Sequence, residues 1–377
     1  MNVLNKRTLG IASALVGIAV AGAATEVIGR HRQKRRLEAG EDTPFGSLHS
    51  APVTVDASDG VRLHVEIDEP DDTDASPLTV SDGSVLRGSQ AHSSPLTVPD
   101  GSVLRGSQAH SSPLTVVFAH GWVLDLDSWH YQRAALRGRV RMVFYDQRSH
   151  GRSERSTRAG STFDQLGRDL RDVIEQTTPD GPVILVGHSM GGMTVMSLAE
   201  QFPDLVRERV AGVLLCGTSA GGLLPKGTSL RAAATRIERV GFAVTPFLAL
   251  GRRIGSNRSS RRLIVGPDAP DRFVDMTTQM LRRQHTHVLL DFLPNFGELD
   301  AYEALATLPG GSTVVVSGTH DALTPHKHSK RIVARLPGSR LVVADGAGHM
   351  VQLERHEQVS AELEDLIDQV VDQRETA

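Results

Sequence analysis

Residues 183–201 constrain the fold of this chain more than any other stretch. Val183-Ile184-Leu185-Val186 is an unbroken apolar run with three β-branched residues, which suits a strand buried on both faces of a parallel sheet. Gly187-His188-Ser189-Met190-Gly191-Gly192 follows, and its glycines permit a tight corner and close packing of the next element. Met193 through Gln201 then reads as a helix that stops ahead of Pro203. A strand turning this sharply into a helix calls for a sheet flanked by helices. A serine at the corner projects its hydroxyl out of the sheet. It also sits beside the free N–H groups of a helix N-terminus, which can hold a developing negative charge.

The pentapeptide G-x-S-x-G is weak by itself, and the chain holds a second copy, Gly217-Thr218-Ser219-Ala220-Gly221. That copy also follows an apolar run, Val213-Leu214-Leu215-Cys216, but continues into Gly222-Leu223-Leu224-Pro225-Lys226-Gly227, which cannot start a helix promptly. Ser189 is therefore the candidate nucleophile and Ser219 a loop serine.

A serine hydroxyl needs a base to take its proton and a third group to orient that base. Thr313-Val314-Val315-Val316-Ser317-Gly318 reads as a strand leading to His320-Asp321. Leu341-Val342-Val343-Ala344 reads as another, leading to Asp345-Gly346-Ala347-Gly348-His349. Both loops follow the carboxyl ends of strands, where open α/β sheets bind ligands. Asp321 and His349 complete the chain order Ser, Asp, His that accompanies a serine corner. Of the rivals, His326 and His328 are read as solvated, and His356 as part of a charged run entering the last helix. Asp345 is read as a turn residue before Gly346. The oxyanion needs two donors. One is the N–H of Met190. The other is the N–H of Trp122, in the loop after the apolar run Val116-Val117-Phe118-Ala119, where His120 is read as stabilising the loop.

Taken together, His120-Gly121-Trp122, Asp146-Gln147-Arg148-Ser149-His150-Gly151-Arg152-Ser153, Gly187-His188-Ser189-Met190-Gly191-Gly192, Asp321 and Gly348-His349 resemble the serine-dependent α/β-hydrolases. The chain is similar to esterase/lipase-like members and to the cofactor-free haloperoxidases over roughly residues 51–75 and 112–377. The resemblance implies hydrolysis of a carboxylic ester or related acyl bond through an acyl-enzyme, with no cofactor. Alternatives on the same residues are a perhydrolase, a haloperoxidase or an acyltransferase, and from another class a non-catalytic binding protein. Ser149 departs from the pattern, since similar sequences usually carry Gly there. Dehalogenases and epoxide hydrolases of this fold use a carboxylate at the corner, which here is Ser189. His285-x-His287 and His326-x-His328 lack further ligands for a metal site.

The fold class expected is α/β: an α/β-hydrolase fold, with a mostly parallel doubly wound sheet and an inserted helical cap. Core segments are expected at 51–219 and 306–377, the first opening with a hairpin over 52–68 that turns at Ser58-Asp59-Gly60. Leu166, Leu170, Val173 and Ile174 share one helix face, as do Leu363, Leu366, Ile367, Val370 and Val371. The cap is expected at 220–305, with helical stretches at 229–240 and 272–293. Its Phe242, Phe247, Leu248, Met276, Met280, Leu289, Leu290, Phe292 and Phe296 are read mainly as cap core, a minority lining an acyl-sized pocket. Residues 76–93 and 94–111 form a tandem repeat differing only at Ser81 and Pro99; the units are too short and polar to stack, so 76–111 reads as an expanded loop.

A formal net charge of −3 offers no footing for nucleic acid. One cysteine, Cys216, excludes an internal disulfide. The uncharged stretch 8–25 lies between Lys6-Arg7 and five basic residues ending at Arg36, and just reaches the length of a bilayer span. Residues 1–36 are read as a leader that anchors the protein at a membrane. The heavier positive flank on the catalytic side favours the cytoplasmic face. A secretory signal cleaved at Ala21-Gly22-Ala23, or a leader on a cytoplasmic protein, are the alternatives. A second basic run, 252–262, is read as a solvated loop or a lipid-facing patch. The partner expected is a small ester with an apolar acyl group.

Overall fold

A computed structural model of the chain describes residues 43–71, 113–178, 180–223 and 263–376. The leader, the tandem repeat, the helix expected at 229–240 and the arginine run 252–262 lie outside these residues. So do Phe242, Phe247 and Leu248. Among the described residues, no helix is long and apolar enough to cross a membrane.

The strands are β1 (Pro52–Asp56), β2 (Arg62–Asp68), β3 (Thr115–Ala119), β4 (Arg141–Tyr145), β5 (Val183–His188), β6 (Val210–Cys216), β7 (Thr313–Gly318) and β8 (Arg340–Ala344). They form one sheet in the order β1-β2-β4-β3-β5-β6-β7-β8. β1 and β2 are the expected antiparallel hairpin, β2 pairs antiparallel with β4, and every later pairing is parallel. The helices used below are α1 (His130–Leu136), α2 (Phe163–Thr177), α3 (Met190–Gln201), α4 (Pro203–Arg209), α5 (Asp271–Arg283), α6 (Thr286–Phe292), α7 (Lys327–Arg335), α8 (Val351–Glu354) and α9 (His356–Glu375).

Successive side chains of a strand face opposite sides, so a strand covered on both sides must be apolar throughout. Val117, Val143, Leu185, Val213 and Val315 pack beneath Leu170, Val173 and Ile174 of α2 and Val195, Leu198 and Ala199 of α3. Their neighbours Val116, Phe118, Met142, Phe144, Ile184, Val186 and Leu214 face Trp129 and the Leu363, Leu366, Ile367 and Val370 stripe of α9. The chain is thus the mostly parallel, doubly wound sheet the periodicity implied. Val371 is an exception to its stripe. It is 37% exposed, because one more residue along α9 turns the side chain off the sheet.

Between β6 and β7 lie α5 and α6, where one helical stretch was expected over 272–293. The backbone is extended at Gln284 and His285, which splits that stretch in two. The apolar side of α5 (Phe273, Met276, Met280, Leu281) packs with Trp122, Met190, Met193 and Met350 into a third cluster, set over the carboxyl ends of the strands.

Candidate active site

The corner after β5 is strained. Ser189 sits at φ 51°, ψ −113°, in a region costly for a residue with a Cβ. The surrounding glycines make the corner possible. A Cβ on Gly191 would lie 2.0 Å from the carbonyl oxygen of Ala119, and one on Gly187 would lie 2.7 Å from the Gly191–Gly192 backbone. Ser189 is thus held at the N-terminus of α3, whose first N–H, that of Met190, has no carbonyl of its own helix to bond.

The loops after β7 and β8 bring Asp321 and His349 to this corner. His349 Nε2 lies 3.0 Å from Ser189 Oγ, and His349 Nδ1 lies 2.9 Å from Asp321 Oδ2. With Nδ1–H donating to the carboxylate, Nε2 is left to accept from the serine hydroxyl. Asp321 is anchored in turn: its Oδ1 accepts from the N–H groups of Leu323 and Thr324 at 2.9 and 2.8 Å. The Thr324 hydroxyl lies 2.7 Å from both Asp321 Oδ2 and Gly217 O and can donate to one of them at a time. Burial opposes the charge on Asp321, but His349 and the Thr324 bonds outweigh it and hold the carboxyl below its ordinary pKa.

The rivals are engaged elsewhere. Ser219 is fully buried; its Oγ lies 2.8 Å from His328 Nδ1 and 2.9 Å from Gly221 O. His328 was expected in solvent. It is only 2% exposed, because α7 turns that side of the chain inward against the loop after β6. His326, also expected in solvent, is half-buried, 3.1 Å from Ser317 Oγ. His356 opens α9 and stacks on Tyr131 at 3.9 Å. Asp345 accepts from Thr319 Oγ1 at 3.2 Å, beside Gly346 at φ 72°. His120 ties its loop together: Nε2 accepts from Gln147 N at 2.9 Å, so Nδ1–H donates to Gly121 O at 2.7 Å.

Trp122 lies in a turn closed by Leu124 N–H donating to Gly121 O at 3.2 Å. The third residue of that turn, Val123, has φ 56°. A β-branched residue in that region is an outlier, and Gly is the usual occupant of such a turn position. Nothing in the residue types signals this strain. Gly121 is explicable: a Cβ there would lie 2.7 Å from His188 Nδ1. His188 donates through Nε2 to His349 O at 3.0 Å, and burial, then the nearby His349, lower its pKa to about 3. It stays neutral. Thr324 and His188 are supporting residues that motif reasoning passed over. The spacing Asp321-x-x-Thr324, which suits a side chain capping the turn after it, was the available signal for the first.

Above the serine lies a cavity of about 60 Å³, lined mainly by apolar side chains including Trp122, Leu124, Met193, Ile264, Leu281 and Phe296. Of the described residues among those nine apolar cap positions, Phe296 lines it, whereas Met276, Met280 and Phe292 are buried in the cluster behind, the division expected from the sequence. Among the described residues no group of three or more His, Cys, Asp or Glu could hold a metal ion.

Ser149 takes φ 66°, the strain its departure from Gly foretells, and its Oγ accepts from Ser156 N at 2.9 Å. Three residues earlier, Asp146 accepts from Leu126 N and Arg152 N, both at 2.8 Å. Asp125 and Asp127 both pair with Arg283 of α5. Burial, then the charge of Asp127, raises the pKa of Asp125 against the pull of Arg283; burial, then Asp125, raises that of Asp146. A carboxyl with a raised folded-state pKa contributes stability that is full below its unfolded pKa, about 4, and lost as pH climbs through the folded value. Asp125→Asn is therefore expected to gain on the parent by a few °C in melting temperature between pH 4 and pH 8, on the order of 1 kcal/mol or more. A melting difference that does not change with pH would refute this.

Comparison with known proteins agrees with the fold. A curated relative, the dihydrolipoyllysine-residue acetyltransferase component of an acetoin cleaving system from Pseudomonas putida, is 25% identical over 254 residues, which cover 66% of this chain and 62% of that protein's length. A pimeloyl-[acyl-carrier protein] methyl ester esterase from Neisseria meningitidis is 27% identical over 198 residues, 52% of this chain and 60% of that protein. The solved structure of a thermophilic esterase from Thermogutta terrifontis aligns with a TM-score of 0.60 at 20% identity, covering 85% of this chain and 99% of that one. The model of the alpha/beta hydrolase family matches residues 116–362, from β3 into α9, and so takes in the serine corner and the loops after β7 and β8. The chain belongs to the alpha/beta hydrolase family.

Proposed function

We propose that this chain hydrolyses carboxylic esters with an apolar acyl group, through an acyl-enzyme on Ser189. The observation that carries this reading is the continuous hydrogen-bonded line Ser189–His349–Asp321 at the floor of an apolar cavity. Ser189 Oγ attacks the ester carbonyl while His349 Nε2 takes its proton. The N–H groups of Trp122 and Met190 receive the oxyanion, and the imidazolium is stabilised by the Asp321 carboxylate. The alcohol leaves with the proton from His349. Water, deprotonated by the same nitrogen, then attacks the acyl-enzyme and releases the acid. Family membership supports a hydrolase, and the esterases among the similar proteins favour the ester bond over other acyl bonds.

The segment between β6 and β7 is proposed as a substrate-selecting cap, since Ile264, Leu281 and Phe296 from it line the cavity. Membrane attachment through residues 8–25 stays a proposal of the sequence alone.

The reading is tested by treating the full chain with a fluorophosphonate and weighing the intact protein, then mapping the adduct. One adduct on Ser189, with turnover of nitrophenyl esters across a series of acyl lengths, is the expected result. An adduct elsewhere, or an unlabelled and inactive chain, would overturn it.

A further inference from the structure

We propose that Glu354 is a positioning residue for His349, clamping the loop that carries the imidazole onto the segment leading into α5. This rests on the reading of His349 as the general base. In the sequence Glu354 stands in a charged run, Glu354-Arg355-His356-Glu357, that leads into the last helix. The side chain is buried, 5% exposed, and both its oxygens are used. Oε1 accepts from the N–H of Gly348 at 2.9 Å, the residue immediately before His349. Oε2 accepts from the N–H of Gly266 at 2.7 Å, on the cap side of the cavity.

The two backbones that Glu354 joins are in direct contact. A Cβ on Gly348 would lie 2.4 Å from the carbonyl carbon of Val265, and one on Gly266 would lie 1.9 Å from Gly346 O. Glycine at both positions lets the segments touch. Ile264 O then accepts from the N–H groups of His349 and Met350, each at 3.0 Å. With His188 holding the His349 carbonyl at 3.0 Å, the backbone of the base is fixed from three directions, and Glu354 closes the third. Ile264 itself lines the cavity, so the cap segment that meets the substrate also sets the base.

A carboxyl suits this place because two converging N–H donors need two acceptor oxygens; these two bonds also work against the burial that raises the Glu354 pKa. Glutamine would turn its NH2 toward one of the donors. Misplacement of a reacting group by about 1 Å can cost on the order of 100-fold in rate.

The test uses the full chain as Glu354→Gln and Glu354→Asp, with a nitrophenyl ester as substrate and a fluorophosphonate as probe of the serine. In Glu354→Gln, kcat is expected to fall about 10- to 100-fold with KM within about 2-fold, and serine labelling to slow by the same factor. Glu354→Asp keeps a carboxyl but cannot reach both donors; its kcat should fall with KM within about 2-fold. This variant decides the matter if the Gln protein does not fold. A folded Gln variant with kcat and serine labelling unchanged would overturn the proposal, as would a lowered melting temperature with unchanged kcat. Ser189→Ala, assayed alongside, separates the two readings: parental turnover in that variant means the assignment of the site has failed, not the clamp.

Discussion

Ser189→Ala is expected to lower kcat/KM for a nitrophenyl ester by a factor on the order of 10⁴–10⁶, leaving melting temperature within a few °C of the parent. On the proposed mechanism the loss is large because the hydroxyl is the atom that forms the covalent bond, and no other group at the corner replaces it. Residual rate would come from the oxyanion donors and the cavity alone. Stability changes little, since the strain at φ 51° belongs to the backbone and Ala adopts it at a similar cost. The discriminating control is Ser219→Ala, in the second copy of the same pentapeptide. Ser219 is sealed from solvent and bonded to His328, so its loss is expected to cost about 1–3 kcal/mol in stability and only a few fold in turnover. Equal activity losses in the two variants would sink the assignment.

Asp321→Asn should be nearly as damaging, by on the order of 10⁴ in kcat. The carboxylate accepts from the N–H groups of Leu323 and Thr324 and from His349 Nδ1. An amide has one oxygen for these donors. If it stays with the turn, its NH2 faces His349 and favours the tautomer in which Nε2 carries the proton and cannot accept from Ser189. The Asp321 pKa is held below its ordinary value, so this group is ionised throughout the neutral range and is not the source of a pH limb near neutrality. Asp345→Asn is the companion measurement, because Asp345 also follows a strand and precedes His349. Its side chain accepts from Thr319 Oγ1, and a change within a few fold is expected. A larger loss there than at Asp321 would move the orienting role.

Much of this architecture is legible residue by residue. The unbroken apolar runs of β3, β5, β6 and β7 announce strands covered on both faces, because polar backbone apart, every second side chain meets a different helix layer. The Gly187-x-Ser189-x-Gly191 corner announces itself for a steric reason: only the lack of a Cβ lets Gly191 pass so close to Ala119 and Gly187 so close to the Gly191–Gly192 backbone. Asp321 and His349 could be picked because each follows a strand directly, so strand order carries them to one edge of the sheet. In these cases the cause is local, and the sequence within a few positions contains it.

What only the tertiary structure decided lies in contacts between segments far apart in the chain. His328 follows a polar stretch, yet α7 folds it onto Ser219, 109 positions earlier. Glu354 sits among charged residues, yet its partners are two backbone N–H groups, one of them 88 positions away. Val123 carries a strain that no propensity foretells, since the turn it occupies is imposed by its surroundings. α5 and α6 break apart at Gln284, whose side chain accepts from Gly151 N at 3.1 Å across the fold. Hydrophobic periodicity reports which side of an element is buried, but a hydrogen bond depends on where a single partner atom arrives. That arrival is settled by the packing of the whole sheet and its cover.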